Sequence, residues 1–170
     1  MNRFRVLKRS THNVFSLALC LWVSKLLHIE PVIISVFLSL MLTVFINWFI
    51  DSVAGHKGFR RTPYTHSILG ALIISLLLSL GIYAITLLLG ILMSMALLTK
   101  LIALALTSAF SHLLLDIFTA NGIALLWPFK KRRFLIIGMR YDDPMLNAII
   151  ISLSILIIFI YMLSLYGIIL

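Results

Sequence analysis

From His66 to Thr119 the chain carries only two side chains that are formally charged at neutral pH, Lys100 and Asp116. At ~20 residues per membrane crossing this run is too long for one span and suits two long helices. In lipid the backbone N–H and C=O groups must find partners within the protein, so helix is the conformation such a run adopts. Apolar blocks of the same kind lie on either side. The first runs from about Asn13 to Ile29 and ends at the Glu30-Pro31 break; the second covers roughly Val32 to Ile50. The last runs from about Met145 to Leu170. The expected fold is therefore all-α: a polytopic membrane helical bundle of about five transmembrane helices, forming a single domain over residues 1–170. Gly81, Gly90 and the Thr99-Lys100 pair are the candidate turns between the third and fourth helices.

Composition agrees with lipid as the solvent. Hydrophobic residues make up 62% of the chain and charged residues 11%, with a mean hydropathy of +1.17, whereas soluble domains carry about a quarter charged residues. Cys20, the single cysteine, lies inside an apolar run, so no intrachain disulfide can form. The basic start MNRFRVLKRSTHN has no small-residue cleavage site after its apolar run, which marks that run as a retained helix.

Alternating helices then sort the polar residues onto membrane faces. Helix one leaves the N-terminal face and helix two returns to it, ending at Asp51. Helix three leaves again from His66, and helix four returns with His112 and Asp116 in its last turns. His12 opens helix one, so four separate segments deliver His12, Asp51, His66, His112 and Asp116 to one face. The same face receives Arg3, Arg5, Lys8, Arg9, Lys57, Arg60, Arg61, Lys130, Lys131, Arg132, Arg133 and Arg140; Lys25 and Lys100 fall elsewhere. Lys and Arg accumulate in cytoplasmic loops, so this face and the N-terminus are expected in the cytoplasm. The net charge of +9 is then topological. Nucleic acid is an unlikely partner because no aromatic residues are interleaved with the charges. Membrane lipids and an amphiphilic or anionic substrate are the expected partners; the oligomeric state is not readable.

Ionisable groups within membrane spans are costly, at least ~2.5 kcal/mol for a central charge, and mark functional positions. His112 and Asp116 stand four apart and share one helix face. Histidine nitrogen and carboxylate oxygen together suit a divalent metal, zinc foremost, with manganese or iron next. His12, Asp51, His66, His112 and Asp116 are the candidate ligands. Other readings stand beside this. Thr65 reads as a helix N-cap with His66 in the first turn, and His112 with Asp116 as a buried hydrogen-bonded pair. Asp51 reads equally as a loop salt bridge to Arg60 or Arg61. His28 lies at the far face, and His56 is a reserve ligand. Pro63 stiffens RRTPYTH and would hold Arg61 near the histidines, where a guanidinium can grip phosphate or carboxylate. KKRRF suits anionic lipid head groups. Asp143 before Pro144 reads as the cap of helix five, with Asp142 or Asp143 as a further ligand or general base.

RTPYTHS followed by SHLLLDIFTANGIALLWP resembles the YdjM-like family of membrane-bound proteins classed as metal-dependent hydrolases. The residues carrying the resemblance are His12, Asp51, Arg61, Thr65-His66-Ser67, Ser111-His112, Asp116, Thr119, Gly122 and Leu125 to Pro128. That family commonly has paired aspartates where this chain has NWFIDSVAGH, with Asp51 alone. Where members carry a glutamate opening the last helix, this chain has Asp142, Asp143 and Asn147. These departures favour one metal over two. The resemblance implies hydrolysis of a phosphoester or lipid phosphate at the cytoplasmic interface. His66, His112 and Asp116, with Asp51 or His12, would hold the cation that activates water. Asp51 would move the proton and Arg61 would hold the anionic group. The alternatives are a non-catalytic scaffold or assembly protein with a structural metal site, and an ion or proton carrier.

Overall fold

The computed structural model describes residues 9–53, 56–57, 60–91, 94–119, 122–138, 140 and 143–168. Arg3, Arg5, Lys8 and Asp142 lie outside the described residues, as do the side chains of His56, Lys57 and Arg60. Five helices follow one another: α1 (Arg9–Leu26), α2 (Val32–Ser52), α3 (Ile68–Leu88), α4 (Met95–Ile117) and α5 (Pro144–Leu165). Between α2 and α3 a two-residue antiparallel ladder pairs β1 (His56–Lys57) with β2 (Arg60–Arg61). The all-helical bundle expected from the apolar blocks is present. Among the described residues four helices, α2 to α5, are long and apolar enough to cross a membrane. α1 is shorter, at 18 residues, and carries Arg9, His12, Asn13 and Lys25.

The bundle is inside-out relative to a soluble protein. Its interior holds Ser16, Ser24, Ser39, Thr43, Ser75, Ser79, Ser108 and Ser154, all fully buried. Its outer surface presents Phe37, Leu77, Leu88, Ile155 and Phe159. Small and hydroxylated residues let helices approach closely and bond across the interface, while lipid takes the large apolar side chains. Spacing of four puts these residues on one stripe per helix: Ser16, Cys20 and Ser24 on α1, and Ser35, Ser39, Thr43 and Asn47 on α2. Both stripes are buried, and bonds join them along the bundle. Asn47 Nδ2 donates to Ser16 Oγ at 3.4 Å, Thr43 Oγ1 to Cys20 Sγ at 3.7 Å, and Ser24 and Ser35 hydroxyls meet at 2.8 Å.

The helices alternate in direction. At one end Arg9 Nη2 bonds Ser52 Oγ at 2.6 Å, and Thr11 Oγ1 donates to Asn147 Oδ1 at 2.6 Å. At the other end Lys25 Nζ reaches Ser164 O at 3.3 Å, and Lys100 Nζ reaches His28 O at 2.9 Å. His28 is exposed there, away from the other histidines.

Local signals set the helix boundaries. Gly90, at φ +73°, makes the turn after α3. Its N–H donates to Leu87 O and that of Ile91 to Thr86 O, a double bond pattern that closes a helix end around a left-handed residue. Gly81 and the Thr99-Lys100 pair lie inside α3 and α4, so neither is the turn. Asp143 caps α5 as expected, accepting from Met145 N at 2.8 Å and Leu146 N at 2.9 Å. The α3 cap is Ser67, which accepts from Gly70 N at 3.1 Å, in place of Thr65. His66 consequently precedes the helix and is free to turn inward. α1 already includes Arg9, earlier than the apolar pattern indicates, and His12 lies within it.

Candidate metal centre

The polar end of the bundle is built from four separate stretches of chain. α1 contributes His12, the last turn of α2 Asp51, the segment before α3 Arg61 and His66, and the last turns of α4 His112 and Asp116. His12, His66, His112 and Asp116 are fully buried; Asp51 is 6% exposed and Arg61 5%. The five residues expected as ligands are thus brought together.

Each position has a local cause. The i, i+4 spacing stacks His112 above Asp116 on the inward face of α4. His66 is fixed by the tight approach of α3 to the loop before it: a Cβ on Gly70 would stand 2.1 Å from Tyr64 O. Its Nδ1 meets Thr65 Oγ1 at 2.9 Å, which leaves Nε2 to face the carboxylates. Residues 122–136 fold back over the end of α4, where Ile123 and Phe134 bridge and Ile136 N bonds Ile117 O at 3.0 Å. Gly122 supports this at φ +52°, with Phe134 O 2.5 Å from where a Cβ would lie. Arg133, itself exposed, donates to Gly122 O at 3.3 Å and Arg61 O at 3.1 Å. Lys130, Lys131 and Arg132 are exposed.

Imidazole Nε2 atoms face carboxylate oxygens at a narrow range of distances. His66 Nε2 is 3.4 Å from Asp116 Oδ2, and His112 Nε2 is 3.5 Å from the same atom. His112 Nε2 stands 3.4 Å from Asp51 Oδ1, with His66 Nε2 3.8 Å from it. His12 Nε2 lies 3.5 Å from Asp116 Oδ1. Most direct N–H···O bonds are 2.7–3.2 Å long. Two ligand atoms each about 2.0–2.1 Å from a tetrahedral zinc ion stand ~3.3 Å apart. The spacing therefore resembles the edges of a coordination shell more than a set of hydrogen bonds. Among the described residues, neither ring nitrogen of His12 has a hydrogen-bond partner. Such buried orphans are rare, and a bound water or ion is one way to satisfy them.

The second layer selects the ligating nitrogen of His112. Asn47 Nδ2 donates to Asn13 Oδ1 at 2.9 Å and toward Ser16 Oγ, so its Oδ1 is the atom 3.1 Å from His112 Nδ1. An amide oxygen only accepts, so Nδ1 carries a proton, which in the neutral ring leaves the lone pair on Nε2. Ser16 and Ser111 hydroxyls meet at 2.5 Å and tie α1 to α4 beside this pair. His12 stacks on His112 with ring centroids 4.1 Å apart. Burial is the largest influence on His66 and lowers its pKa below the ordinary 6.5, which favours the neutral form that binds metal.

The donors form two trios, His12/His112/Asp116 and Asp51/His66/His112, each with its ligand atoms within 4.8 Å of one another. They share His112, whose single Nε2 lone pair ligates one ion at a time. His112 can therefore serve only one trio at a time, and nitrogen and oxygen donors in this mixture could hold a metal ion.

Arg61 Nη2 sits 2.6 Å from Asp116 Oδ1, while Nη1 bonds Thr119 Oγ1. Arg61 is thus partnered with Asp116, and among the described residues its Nε–H has no hydrogen-bond partner. Asn47, Asn13 and Ser16 were not singled out as site residues by sequence reasoning. The signal was present, since Asn47 precedes Asp51 by four and Ser16 follows His12 by four. Asn147 instead joins α5 to α1 through Thr11, one residue from His12.

A family model described as YdjM inner membrane protein matches residues 7–169. No curated protein and no solved structure matches the chain.

Proposed function

The chain belongs to the YdjM inner membrane protein family, and on that premise we propose that it is a metal-dependent hydrolase acting on a phosphoester, in particular a lipid phosphate, at the cytoplasmic interface. One observation carries the reading. Three imidazoles and two carboxylates from four segments meet at ligand-shell spacing in a buried site. The integral membrane placement follows from the family and the apolar helices. The cytoplasmic side is supported by Lys130, Lys131, Arg132 and Arg140 at the site's end of the bundle against Lys25 and Lys100 at the other.

His66, His112 and Asp116 would hold the ion, with His12 and Asp51 completing the set. A divalent ion there, zinc foremost, would lower the pKa of water and stabilise negative charge on the reacting phosphoryl group. Asp51 Oδ1 faces His66 and His112 together, which suits it to take the proton from the attacking water. The Arg61 Nε–H is available to an anionic oxygen once substrate enters. The buried surroundings exclude competing water and strengthen each of these electrostatic contacts.

The test is metal content of the purified protein, wild type against His112→Ala and Asp116→Ala, followed by phosphate release from a panel of lipid phosphates. Stoichiometric metal lost in both variants, with metal-dependent phosphate release, is the expected result. No metal under gentle purification overturns the reading. Metal without hydrolysis of any phosphoester supports a structural metal in a scaffold protein instead.

A further inference from the structure

On the outer face of the bundle, α1, α3, α4 and the segment after α4 enclose an apolar groove with a cavity volume of about 560 Å³. Resting on the lipid-phosphate reading above, we propose that this groove holds one acyl chain of a glycerophospholipid-type substrate, admitted sideways from the bilayer.

Three observations point to a hydrocarbon chain with an anionic head. First, the groove is framed by the immediate neighbours of the site residues. Ile68 lies two residues beyond His66, Leu113 follows His112, and Ile117 follows Asp116. Ligands turn into the bundle while these neighbours line its flank, so the site and the groove share one stretch of backbone. Second, the groove runs along α4 from Leu106 to Ile117, about 17 Å at 1.5 Å per residue. One leaflet contributes ~15 Å of the ~30 Å hydrocarbon core, so the length suits a chain lying in a single leaflet. Third, the segment carrying Leu125 closes the groove at the site's end, where Ile68 N bonds Leu125 O at 3.0 Å. The exposed Lys130, Lys131 and Arg132 follow in the same segment. Positive charge thus gathers where an anionic head group would sit. A second apolar hollow, from Phe37 to Trp48, is lined by α2 alone. It is not a cleft between helices, and it serves as an internal control.

The experiment uses the full chain in lipid nanodiscs containing phosphatidic acid with a photoactivatable group near the end of one acyl chain. Labelled peptides are mapped by mass spectrometry, and metal content and phosphate release are read on the same sample. Label is expected on α4 between Leu106 and Ile117. It should be displaced by unlabelled phosphatidic acid but not by diacylglycerol with the same chains, and lost in Thr107→Trp, which fills the groove. Val44→Trp in the α2 hollow should leave it unchanged. Equal labelling of both hollows without head-group preference overturns the proposal, as does label surviving Thr107→Trp. Head-group-dependent labelling without phosphate release upholds the groove and fails the hydrolase reading; release without such labelling does the reverse.

Discussion

His112 Nδ1 stands 3.1 Å from Asn47 Oδ1, and that contact decides which face of the imidazole is offered to the centre of the site. Asn47→Ala removes the acceptor that holds the ring in its ligating tautomer. Partners of this kind affect metal affinity by roughly 10–100-fold. Chelator competition on the purified variant should show a loss in that range, with His112→Ala losing more. Unchanged affinity in Asn47→Ala would show that the tautomer is set elsewhere.

Arg61 and Asp116 form a buried ion pair at 2.6 Å. Removing one partner of such a pair typically costs about 3–5 kcal/mol because the other charge is left buried and uncompensated. Arg61→Gln should lower the thermal midpoint of the metal-free protein in detergent. Loading with zinc should restore part of the difference, since a cation on Asp116 replaces the lost charge. A deficit identical with and without zinc contradicts the placement of metal on Asp116.

Burial holds the His66 pKa below 6.5 in the folded chain. Near pH 6.5 the unfolded chain therefore binds more protons at this residue than the folded one. Its contribution to stability rises with pH and is lost as pH falls below the unfolded value. Proton competition for a ligating imidazole acts in the same direction on metal retention. Dialysis across pH 7.5 to 5 should show metal loss on the acid side, and His66→Ala should bind weakly throughout. Retention independent of pH would exclude His66 as a ligand.

A Cβ at Gly70 would overlap Tyr64 O at 2.1 Å. Gly70→Ala must push α3 away from the segment that carries His66. Overpacking of a tight contact costs about 1–3 kcal/mol. Thermal unfolding should show this loss, together with weakened metal binding. Gly81→Ala meets no neighbouring atom within 4 Å and should be tolerated. Equal behaviour of the two variants would refute the close approach.

Orientation is open to direct labelling. Cys20 is buried, so background reactivity is low. Lys131→Cys should react with an impermeant thiol reagent only from the cytoplasmic side of inverted vesicles. Lys100→Cys should react only in right-side-out cells, and the opposite pattern would reverse the assignment of faces.

How much of this could be read from the chain depends on which interactions are local. Apolar block length fixed the number of helices, because the bilayer imposes both the helix and its span. Alternation of those helices was enough to put His12, Asp51, His66, His112 and Asp116 at one end. The turn at Gly90 was readable only as one of three candidates, since Gly81 and Lys100 are equally compatible with a break until packing holds the helix through them. Ser67 rather than Thr65 caps α3 because Gly70 must nest against Tyr64, a contact between residues that no periodicity reports.

Within the site, sequence supplied the ligand types and their common face, because spacing of four on a helix is a property of the backbone alone. Tertiary structure decided what each residue meets. Arg61 could have paired with Asp51, and it meets Asp116 and Thr119. Arg133 reads from the chain only as one more loop charge, and it holds the Arg61 carbonyl. Asn47 carries no sequence signal beyond its spacing of four from Asp51, and it sets the His112 proton. Ionic and hydrogen-bonded pairings of this kind have no sequence period; they depend on distances between helices that only the packed bundle determines.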